Sequence, residues 1–151
     1  MTGAMLAAVR PNAWDLPLFL HVAGAMTLVG ALGTTLTLAI AGMRRPDAQV
    51  LARGALLSLA AAALPAWVVM RAAAQWTYSK EHFSGHNDPG WIGIGFGVSD
   101  AGLIVLLAAL ALAYAWARKL RPWAPRALGG LGGLYLALLA VAWLAMSGKW
   151  G

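Results

Sequence analysis

The sequence predicts an all-α membrane protein, a single domain built as an antiparallel bundle of four transmembrane helices, and three observations predict it. Of 151 residues, 61% are apolar and 11% charged, against roughly 45–50% and about 25% in soluble domains. A chain this short has too little interior to hide that surplus from water. Its apolar residues gather into four stretches, each long enough to cross a bilayer, which takes about 20 residues. The connections between them are short, so neighbouring stretches must run antiparallel and pack as hairpins.

The first stretch runs from Leu16 to Gly42. Met1 to Ala8 carries no charge and the apolar run is too long for a cleavable signal peptide, even though Ala39-Ile40-Ala41 imitates a cleavage site. Arg44 and Arg45 follow as an anchor, and the segment is read as a span. The second stretch is Leu51 to Ala74, in which Pro65 predicts a kink and a freed carbonyl near Ala61. The third is Trp91 to Ala117 and the fourth Ala127 to Ser147. Apart from this hairpin pattern the chain shows no internal repeat.

Charge sets the expected orientation. Arg44, Arg45, Arg53, Arg118, Lys119, Arg121 and Arg126 flank the first and third connections, whereas Arg10, Arg71, Lys80 and Lys149 lie towards the opposite side. The positive-inside rule then puts both termini and the Gln75 to Gly90 loop outside. Trp14, Trp76, Trp91, Trp143 and Trp150 are expected at the outer interface, and Trp116 with Trp123 at the inner one. The net charge of +6 needs no polyanion to explain it, so nucleic acid is excluded as a partner. The absence of cysteine excludes disulfides, thiolate metal sites and cysteine nucleophiles.

In lipid, helices associate through small residues that let backbones approach. Spacing of four supplies Ala23, Thr27, Ala31, Thr35 and Ala39 in the first span, Gly93, Gly97 and Ala101 in the third, and Gly129, Gly133, Ala137 and Ala145 in the fourth. These ladders point to tight packing within the bundle, against a second copy or against another membrane protein.

Ionisable residues inside a bilayer are costly and mark candidate sites. Three stand out, His21, Arg71 and Asp100, all expected in the outer layer, with His82 and His86 in the outer loop. All three histidines of the chain therefore share one membrane side, where Met70 and Met146 also lie. Imidazole and thioether donors suit copper or haem iron. His21 is the candidate ligand, with Gly24 one turn below leaving room for a flat ring; structural pairing or proton relay are its other readings. Asp100 pairs with Arg71 or orients the His21 ring. Arg71 otherwise snorkels or holds a haem propionate, with Gln75 one turn along. His82 and His86 have chelating spacing on a helix, but Ser84 to Gly90 is turn-forming, so a solvated loop is the plainer reading. Gly93-Ile94-Gly95-Phe96-Gly97 lacks a lysine and strand context for a phosphate loop. Nothing in the sequence arranges a hydrolase, and a binding protein is expected rather than an enzyme.

Leu18-Phe19-Leu20-His21-Val22-Ala23-Gly24-Ala25 resembles the opening of small bacterial four-helix membrane proteins of the copper-resistance CopD-like group. With Leu64-Pro65-Ala66-Trp67, Gln75-Trp76 and the Trp143 to Lys149 ending, the chain resembles the integral membrane proteins of domain of unknown function family 2269 over nearly its whole length. The resemblance implies a bacterial plasma membrane and copper or haem b held through His21. It leaves a non-catalytic scaffold or accessory subunit as the alternative, and a small transporter using the buried charges as a third.

Overall fold

A computed structural model describes residues 15–45, 48–80, 89–118 and 121–148. It contains four long helices and, among the described residues, no strand. We label them α1 (Asp15–Arg44), α2 (Gln49–Lys80), α3 (Gly90–Ala117) and α4 (Ala124–Gly148). All four are long and apolar enough to cross a bilayer, and the chain is an all-α, multi-pass membrane protein. At 1.5 Å per residue, 30 residues of α1 and 32 of α2 rise about 45 and 48 Å. Both exceed the roughly 30 Å of hydrocarbon, so their ends project from it or the helices tilt.

The helices form a ring in which α1 packs on α2 and α4, and α3 on α4 and α2. Small residues fill the centre. Ala31, Ala39, Ala55, Ala63, Ala109 and Ala113 are buried beside Leu28, Leu32, Leu59, Leu128 and Tyr135. Large apolar side chains point the other way: Met26, Val50, Ile104 and Trp143 are all at least two-thirds exposed. In water that distribution would be costly, but against lipid tails it costs nothing and leaves the interior free for close backbone approach.

The close approaches are sockets at glycine. A Cβ on Gly42 of α1 would overlap the Trp116 indole of α3, one on Gly95 the Met146 side chain, and one on Gly102 the Tyr135 ring. Trp116 is thus a core residue, 3% exposed, and not the interfacial anchor its position predicted; one missing side chain on α1 makes its place. Trp123 is half exposed, as an interfacial ring should be. The ladders divide in the same way. Ala31, Thr35 and Ala39 are buried and Thr27 is exposed, while on α3 the core side is Gly95, Ser99, Gly102 and Leu106, leaving Gly93, Gly97 and Ala101 facing out.

Pro65 acts on α2 through its missing N–H. Over Ser58–Ala63 the helix widens to π geometry, and the Leu64 N–H donates five residues back to the Leu59 carbonyl. A π turn is one of the recognised ways for a helix to absorb a proline or an extra residue. It also brings the Ser58 hydroxyl to the Ala31 carbonyl of α1, donating at 2.9 Å, where the Thr35 hydroxyl donates as well at 2.9 Å. The defect in one helix thereby becomes a polar link to its neighbour.

The second span is longer than hydropathy indicated. It was expected to stop at Ala74, but α2 continues to Lys80. Thr77 and Ser79 cap carbonyls one turn back, at Ala73 and Trp76, so the residues that read as loop are a helical extension with its polar groups satisfied. The other spans lie within three residues of their expected bounds.

Candidate functional site

Antiparallel packing brings the start of α1, the end of α2, the start of α3 and the end of α4 to one end of the bundle. His21 stands six residues into α1, about 9 Å along it. Its Nδ1 lies 3.1 Å from the Met70 carbonyl oxygen of α2. A carbonyl only accepts, so Nδ1 carries the proton and donates. In the neutral ring the lone pair is then on Nε2, the arrangement by which a backbone carbonyl fixes the tautomer of a metal-ligating histidine.

Gly24, one turn further along α1, is buried, and a Cβ there would sit 2.8 Å from the Met70 amide nitrogen and 3.0 Å from the Ala66 carbonyl oxygen. Its missing side chain is used for backbone contact between α1 and α2. The room expected for a flat ring is therefore filled by α2, and a haem lying on this face of α1 does not fit.

The charged pair forms as expected. Arg71 Nε donates to Asp100 Oδ1 at 2.8 Å, and the same guanidinium donates to Gln75 Oε1 at 3.1 Å. Its carbon lies 4.5 Å from the centre of the Phe96 ring, a cation–π contact. Phe96 in turn meets Tyr78 edge to face at 5.6 Å. Asp100 goes to Arg71 and the His21 ring to Met70, so the carboxylate does not orient the imidazole. The α2–α3 contact is concentrated nearer the opposite end of α2. Towards Lys80 the two helices are joined chiefly by this polar and aromatic group and by the Trp67 indole N–H, which donates to the Ser99 carbonyl at 2.9 Å. An open cleft of about 390 Å³ lies beside it, lined by Gln75, Tyr78, Gly90, Gly93 and Phe96 among others.

The side chains of Arg71 and Asp100 are 25% and 60% exposed. Replacing Asp100 by asparagine leaves an unneutralised guanidinium there. The expected cost is about 2 kcal/mol, between an exposed and a fully buried pair. The double variant Arg71→Leu/Asp100→Leu should cost less than the single one, because it removes both charges together. Reversible unfolding in mixed detergent micelles measures both; a double variant less stable than Asp100→Asn would show that the pair does more than neutralise itself.

Among the described residues no group of three or more histidine, aspartate or glutamate side chains is placed to hold a metal ion. His82 and His86 lie outside the described residues. Phe96, Tyr78 and the Met70 carbonyl escaped sequence reasoning. Phe96 precedes Asp100 by four and shares its face, a spacing that signals the contact. The Met70 carbonyl is backbone and has no sequence signal. No family model, characterised protein or solved structure matches the chain.

Proposed function

We propose that the chain is a bacterial plasma-membrane protein that binds a single copper ion at its histidine-bearing end, with His21 as a ligand through Nε2. The observation that carries this reading is the hydrogen bond from Nδ1 to the Met70 carbonyl, which leaves the other nitrogen free to coordinate. His82 and His86 follow the end of α2 by two and six residues in the sequence and are the co-ligands this reading puts forward, and thioether donors suit the cuprous ion. Copper is favoured over haem b because the Gly24 face of α1 is closed. The excess of cations at the far end supports an orientation with the histidine-bearing end outside.

Protein purified in detergent should take up copper in about one equivalent, measured against a competing chelator, and show no Soret band on incubation with haem. His21→Ala should weaken copper at least tenfold, about 1.4 kcal/mol, with the protein eluting unchanged on gel filtration. Equal affinity in the variant, or a Soret band in place of copper, overturns the reading.

A second reading, of a scaffold that docks another membrane protein, is favoured by one feature. A Cβ on Gly93 or Gly97 would meet nothing within 4 Å, and with Ala101 these residues form an outward small-residue stripe on α3 of the kind that packs helices in lipid. The absence of native cysteine makes it testable: Gly97→Cys should cross-link in membranes to a partner helix if the stripe is occupied.

A further inference from the structure

At the opposite end of the bundle a second cleft, of about 500 Å³, opens between the first turns of α2 and the last turns of α3, lined by Gln49, Arg53, Leu56, Tyr114, Ala117 and Arg118. Three features make it more than a gap between helices. Across its rim the Gln49 side-chain amide donates to the Ala117 carbonyl and joins the two helix ends. Its two cations are held differently: Arg118 Nε donates to the Tyr114 hydroxyl at 3.2 Å, with the guanidinium carbon 5.5 Å from the centre of that ring, so its terminal nitrogens stay available. Arg53 is exposed and has neither a hydrogen bond nor an ion pair among the described residues. Finally, no acid stands in the first turn of α2 to neutralise them; the acid nearest in sequence, Asp47, lies outside the described residues.

Two guanidiniums beside an apolar wall from Leu56 and Ala117 match a phosphate ester carrying a hydrocarbon tail. We infer that this cleft binds the phosphate of an anionic phospholipid headgroup, with Arg53 and Arg118 on the phosphate oxygens and Leu56 against the acyl chains. The position fits: the helix ends that form the cleft border the hydrocarbon, the cations cluster at this end of the bundle, and basic pockets between transmembrane helices on the positive side are where acidic headgroups are held. Arginine suits the task because its planar fork meets two phosphate oxygens at once. The inference does not depend on the copper reading, since the two sites occupy opposite ends.

The test is native mass spectrometry of the full chain in detergent, titrated with phosphatidylglycerol and, separately, phosphatidylcholine. Phosphatidylglycerol should be retained in preference. Arg53→Gln and Arg118→Gln should each lower that retention about fivefold, and the double variant about twenty-fivefold, if each cation contributes as juxtamembrane basic residues do. Arg126→Gln removes a charge from the same end but outside the cleft, and should leave retention unchanged. Arg53→Lys/Arg118→Lys should recover part of the loss, and circular dichroism of each variant confirms that its helices persist. Equal retention of the two lipids overturns the proposal, and so does an equal effect of Arg126→Gln, which would indicate diffuse attraction. Inorganic phosphate supplies the last arm: if millimolar phosphate displaces the lipid from the wild-type chain and binds in its place, the anion comes from water and the assignment to lipid falls.

Discussion

A valine at position 24 is expected to destabilise the bundle by about 3 kcal/mol and to separate His21 from Met70. The atoms that an added Cβ would strike are the Met70 amide nitrogen at 2.8 Å, the Met70 Cα at 3.0 Å and the Ala66 carbonyl oxygen at 3.0 Å. All three belong to the backbone of α2, so no rotamer change relieves the clash; α1 must move off α2 as a body. Overpacking of this kind costs about 1–3 kcal/mol. A mid-helix glycine returns about 1 kcal/mol when it is replaced by alanine, but valine recovers less of that and adds two methyl groups at the contact. Moving α1 also stretches the Ser58 link to Ala31, so the upper end of the range is expected. Gly30→Val is the control on the same helix, because nothing lies within 4 Å of a Cβ there. Detergent unfolding midpoints decide the matter. Equal losses at the two positions would mean that α1 and α2 are not in backbone contact. A weakened copper affinity in Gly24→Val, with His21 intact, would tie the contact to the proposed site.

The same position shows where sequence reasoning ends. That the chain has four apolar helices is legible because hydropathy and length alone decide what crosses a bilayer. Which side of each helix faces inward is not, since lipid and core are equally apolar and no polar stripe separates them. Trp116 therefore read as an interfacial ring and is a core side chain, the α3 ladder of Gly93 and Gly97 left its packing partner open and faces out of the bundle, and Gly24 read as space for a ligand and is space for a neighbouring backbone. The Arg71–Asp100 pair was legible because two opposite charges at similar depth in lipid have few alternatives to each other. The partner of His21 was not, because it is a main-chain carbonyl. The extent of α2 past Ala74 was hidden by Thr77 and Ser79, which suit a loop but here bond back to their own helix.

Gly102 and Tyr135 join α3 to α4, and a double-mutant cycle between them should give the second large effect. Tyr135 is fully buried, and its hydroxyl, like that of the buried Ser99, has no hydrogen-bond partner among the described residues. The ring occupies the volume that a side chain at 102 would need. An aromatic ring at full burial has nowhere to swing, so Gly102→Ala is expected to cost about 2 kcal/mol net, the upper range for overpacking less the roughly 1 kcal/mol that alanine returns in a helix. Tyr135→Phe keeps the ring but removes an unpaired buried hydroxyl, whose desolvation costs about 1–3 kcal/mol; the variant should be as stable as the wild type or more so. Tyr135→Leu alone opens a cavity and should lose about 3 kcal/mol. Combined with Gly102→Ala, however, it supplies the room that the new methyl lacks, so the two losses should fall short of additive by about 1–3 kcal/mol, as expected for residues in contact. Strict additivity would separate the two residues. A clear loss in Tyr135→Phe would show instead that the hydroxyl is satisfied, by water or by Ser99, and that α3 and α4 are joined by a polar bond as well as by shape.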